Sequence, residues 1–72
     1  MDEQTKIKKE LIEKLKTISE DKEFLLSVIN SVKNTDDRKA VIEYIDNGED
    51  VTYENVILLA LTIYESREEN NN

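Results

Sequence analysis

A chain with no proline and a single glycine has very little with which to interrupt a helix. Proline fixes φ and lacks an N–H, and glycine is the easiest helix stop, so their scarcity leaves helix as the default element. The one glycine, Gly48, follows Asn47 at the end of an apolar periodic run, where a helix stop is wanted. The spacing predicts the left-handed residue that commonly follows a helix there. A length of 72 residues allows one domain. Such a domain buries only about 60% of its unfolded surface and needs reinforcement. With neither cysteine nor histidine, disulfides and the standard zinc ligand sets are excluded. Close helix packing, self-association or a bound partner must serve instead.

Four helical segments can be read. In the first, Glu3 to Ile18, the residues Ile7, Leu11, Leu15 and Ile18 share one narrow face, with Ile12 at its edge. Ser19 is the expected N-cap of the second, with Glu20 and Asp21 in its first turn, where acids suit the helix dipole. Phe24, Leu25, Val28, Ile29 and Val32 form its apolar face. Thr35 is the expected cap of the third, with Ala40, Val41, Tyr44 and Ile45 inward and Ile42 on the flank. Thr52 opens the fourth, and Val51 with Val56 has the spacing of a hydrophobic staple. This last helix is expected to reach about Arg67. The domain then spans 1–68, and 69–72 is a disordered polar tail.

Short connections favour antiparallel neighbours, so the fold class is all-α, a compact bundle of three to four short antiparallel helices. The fourth helix is expected at its centre, because eight of the nine residues from Val56 to Tyr64 are apolar. The first helix, with its narrow stripe, is expected to splay away or to pack on another chain. One residue fits poorly: Leu58 falls among Glu54, Asn55, Thr62 and Glu65 on the polar side, with Leu59 on its border. Either the first helix or a loop covers Leu58, or Leu58 and Leu59 belong to an interface.

Charge is distributed unevenly. Residues 1–33 sum to zero, so the whole net charge of −7 lies in the second half. No basic residue occurs between Ala40 and Ser66. Glu43, Asp46, Glu49, Asp50 and Glu54 are expected to form an acidic rim around the Gly48 turn.

Catalytic chemistry finds little support. Without His or Cys there is no triad and no thiolate nucleophile, and no glycine-rich phosphate loop is present. Aligning Gly48 with the glycine of a helix–loop–helix calcium site puts Ile45 where a carboxylate ligand belongs and Asp50 where an apolar residue belongs. The fourth helix is too apolar, and its approach too acidic, to read a DNA groove. Lys6, Lys8, Lys9, Lys14 and Lys16 are spread around the first helix among Glu10 and Glu13, as on a solubilising face. The longest apolar stretch, nine residues, is far short of the roughly 20 needed to span a membrane.

These features describe a small cytoplasmic, non-enzymatic regulatory or interaction protein without cofactor or metal. Its partner would be a protein with a basic surface, met by Glu43, Asp46, Glu49, Asp50 and Glu54 with Leu58 as apolar anchor. One alternative is a structural homo-oligomer, such as a homodimer, assembled through the fourth helix. Another is a nucleic-acid-associated protein using the lysines of the first helix, which the charge pattern disfavours.

Overall fold

The computed structural model describes residues 2–70, which fold into four helices: α1 (Glu3–Lys16), α2 (Lys22–Ser31), α3 (Thr35–Asn47) and α4 (Tyr53–Asn70). They form an all-α bundle with a Cα radius of gyration of 11.6 Å. The helix starts carry side-chain caps, two of them one or two residues from the expected positions. Asp21, not Ser19, caps α2 by accepting from the Glu23 amide, while the Ser19 hydroxyl accepts the Asp21 amide. Asn34, not Thr35, caps α3: its Oδ1 accepts from the Asp37 amide at 2.8 Å, and its Nδ2 donates to the Asp37 carboxylate at 3.0 Å. The amide's two ends satisfy two groups at once, which a threonine hydroxyl in the next position does not. Arg38 then closes the α2–α3 elbow by donating to the carbonyls of Val32 and Ile29, the orphan acceptors at the end of α2.

Helix α1 does not splay. It packs most extensively on α3, with Leu11 and Leu15 fully buried. Ion pairs fasten both ends, Glu3 to Lys39 at 2.8 Å and Lys14 to Asp46 at 2.7 Å. Matching ends are joined, so α1 and α3 point the same way, as alternate members of an up-and-down bundle do. Asp37, early in α3, meets Arg67, late in α4, so that consecutive pair is antiparallel. Helix α2 packs chiefly on α4 and supplies Phe24, Val28 and Ile29 to the core, with Val32 added by its C-cap. Val41 and Ile42 come from α3, where Ala40 is exposed rather than inward.

The expected central position of α4 is also overturned. Only Val56 and Ala60 of this helix are buried, and it lies against the bundle with one side open. Three short helices have too little surface to enclose a fourth on all sides. At its far end α4 continues to Asn70, beyond the expected stop near Arg67, and the rest of the expected tail, 71–72, lies outside the described residues.

Gly48 departs from expectation in a different way. Its φ of −73° and ψ of 157° are extended, and its amide donates to the Tyr44 carbonyl at 2.7 Å. A Cβ there would stand 2.5 Å from the Tyr44 oxygen and 2.9 Å from its ring Cε1. Glycine is required for space, not for handedness. Alanine at a permissive glycine usually stabilises. Here Gly48→Ala is expected to destabilise by about 1–3 kcal/mol through overpacking. Urea unfolding monitored by circular dichroism checks this, and an unchanged midpoint would show that the Tyr44 ring yields freely. Leu15→Ala, which empties a fully enclosed site in the core, is expected to cost about 2–5 kcal/mol in the same assay.

Candidate protein-docking surface

The turn between α3 and α4 is held from several sides. The Tyr44 hydroxyl and the Asn55 side-chain amide both donate to the Asp50 carbonyl, each at 2.8 Å. The Thr52 hydroxyl caps α4 by accepting from the Asn55 amide at 3.1 Å. Val51 packs half-buried against the core cluster to which Val56 belongs. Tyr53, the first residue of α4, stacks on Phe24 with ring centroids 4.5 Å apart. The backbone that carries the acids is therefore fixed before any partner arrives.

Around this turn Glu43, Glu49, Asp50 and Glu54 are exposed. Asp46 is exposed as well, but its carboxylate is engaged by Lys14, whose ammonium is held above its ordinary pKa by that hydrogen bond and charge. Among the described residues, the rim thus has four carboxylates without an ion-pair partner and one that ties α3 to α1. They ring the turn without converging: among the described residues no three carboxylates gather as ligands of one cation.

The outward side of α4 is the other half of the surface. Leu58 is 60% exposed, so neither α1 nor a loop covers it. Leu59, grouped with it on sequence grounds, instead packs half-buried against the core. Its place outside is taken by Leu61, 45% exposed, which sequence reasoning passed over. The signal was present, since residues three apart on a helix are neighbours. Tyr53 and Tyr64 flank the leucines, and Glu54 and Glu65 are exposed at either end. Leu26, on α2, is also exposed, as single surface leucines often are.

The far end of α4 is anchored by a two-point contact. Arg67 Nε and Nη2 donate to Asp37 Oδ2 and Oδ1 at 3.0 and 2.8 Å. Those bonds, with the Arg67 charge and the Asn34 amide, hold the Asp37 carboxyl below the ordinary aspartate range. An open groove of about 450 Å³ lies beside this pair, lined by Lys33, Tyr64 and Glu68 among others, but its arginine and aspartate neutralise each other. Among the described residues no helix is long and apolar enough to cross a membrane. No protein-family model, curated protein or solved structure matches the chain.

Because the Asp37 pKa is lowered in the folded state, its contribution to stability is complete above the ordinary aspartate pKa. It is lost as the pH falls through the folded value. Asp37→Asn is therefore expected to melt below the parent at neutral pH, with the gap closing as the solution becomes more acid. Thermal melts at several pH values measure this, and a gap independent of pH would contradict it.

Proposed function

We propose that this chain is a small non-enzymatic interaction protein, of the inhibitor, antitoxin or accessory-factor kind, acting in the cytoplasm by docking a basic surface of a protein partner. The observation that carries the reading is the pairing of exposed leucines with unengaged acids on a rigid support. Leu58 and Leu61 stand on a helix fixed at both ends, and no cation occurs in the sequence from Ala40 to Ser66 to neutralise Glu43, Glu49, Asp50 and Glu54. Covering the exposed half of each leucine would contribute about 1 kcal/mol. The acids would steer a basic partner and select against acidic ones. A preformed surface loses little entropy on binding.

The exposed leucines also suit the homo-oligomer, the second reading. Light scattering separates the two. We expect a monomer mass at high concentration, unchanged in Leu58→Glu. A dimer that reverts to monomer in that variant would replace the proposal. Nucleic-acid binding through α1 has less support, since Lys14 is already engaged by Asp46.

The direct test is tagged capture from the native host with the parent and with the triple variant Glu43→Gln, Glu49→Gln, Glu54→Gln. The parent is expected to retain a basic protein that is released by salt. The triple variant should lose it by tenfold or more, at the order of 1.4 kcal/mol, with its helicity unchanged. Equal capture by both would sink the proposal.

A further inference from the structure

On the outer side of α4, Glu54, Leu58, Leu61 and Glu65 succeed one another at spacings of four, three and four residues. At 100° per residue these side chains fall within about 60° of arc. All four are exposed. Spacings that alternate four and three are those of a seam at which one helix packs along another, each side chain entering a gap between four residues of its neighbour. The stripe therefore has the form of a helix-docking seam with an apolar middle and an acid at each end. From Glu54 to Glu65 it runs about 16 Å, or three turns.

Charge decides which helix fits. A second copy laid along the seam in parallel sets Glu54 on Glu54 and Glu65 on Glu65. Laid antiparallel about the same centre, it sets Glu54 on Glu65. Both arrangements oppose acid to acid, and like charges brought together at an interface are costly. A nucleic-acid backbone or an anionic lipid surface meets the same repulsion. A cationic helix meets none.

We infer that the outer face of α4 is a groove-free docking seam for a basic amphipathic helix of a partner protein, whose own stripe reads Arg or Lys, apolar, apolar, Arg or Lys at the same spacing. This rests on the basic-surface reading and narrows it. The contact extends from the rim around Gly48 along the length of α4, and Leu61 and Glu65 join Glu54 and Leu58. Glu43 and Asp46, on α3, lie outside the seam.

The test uses the full chain, labelled with nitrogen-15, and two synthetic peptides of identical composition. One carries Arg, Leu, Leu and Arg at the four-three-four spacing on an alanine–glutamine helical background; the other has those four residues redistributed around the helix. The phased peptide is expected to shift the amide signals of residues 54–65 and to bind at least about tenfold more tightly than the redistributed one. Leu58→Asp and Leu61→Asp, both at exposed positions, should each weaken it by about tenfold or more. The double variant Glu54→Lys, Glu65→Lys should reject the phased peptide and accept its counterpart with Glu in place of Arg.

Equal binding of both arginine peptides, with shifts centred on 43–50, overturns the seam and leaves the basic-surface reading standing. Binding of neither also overturns the seam, and the basic-surface reading then rests on the triple amide variant. A dimer of the free protein with its contact at Leu58 and Leu61 overturns both.

Discussion

The packing of α1 against α3 governs how the remaining surface is used. Leu11 and Leu15 of α1 are fully enclosed, and the Glu3–Lys39 and Lys14–Asp46 pairs sit at the two ends of the contact. Exposed ion pairs of this sort add little to stability. Their value is in register, because they fix which end of α1 lies beside which end of α3. With α1 and α3 committed to each other, α4 has α2 on one side and part of α3 on another. Among the described residues no further element covers its third side. The exposed leucines follow from how few helices there are to cover a strongly apolar one.

This arrangement has a consequence for the acidic turn. A loop between two helices is ordinarily the most mobile part of a bundle. Here one carbonyl, that of Asp50, receives both the Tyr44 hydroxyl and the Asn55 amide, and Gly48 lets the Tyr44 ring and carbonyl come close. The tyrosine has two roles. Its ring lies over the glycine, and its hydroxyl holds the turn two residues further on. At the other end, Arg67 fastens α4 to the start of α3 through Asp37, itself oriented by the Asn34 cap. Helix α4 is thus a rod held at each end, with Leu58 largely exposed on its outward face.

Several features were legible in the residues because they depend on local chemistry. Helical periodicity marked Leu11, Leu15, Phe24, Val28, Val41 and Val56 for the core, and all are buried. The Thr52 cap was equally readable, since it is made by a side chain within one turn. The shifted caps at Asp21 and Asn34 show the limit of such reading. Adjacent Ser, Thr, Asn and Asp residues are all competent, and small differences in reach select among them. Gly48 was placed correctly as a stop but for a different reason, because the obstacle to a side chain is the Tyr44 ring and carbonyl.

The sequence by itself determined that this protein is helical, where its helices begin and end to within a few residues, and that its negative charge collects in the second half. Those properties come from propensity, spacing and composition, which do not depend on what lies across the core. Only the tertiary structure decided that α1 is an integral member and α4 a peripheral one, that Leu59 turns inward while Leu58 and Leu61 stay outside, and that Asp46 is engaged by Lys14. An apolar residue records a tendency to be covered, but whether a cover exists depends on the number and placement of the other helices. That competition is settled among all four helices together, and α4 is the one left partly uncovered.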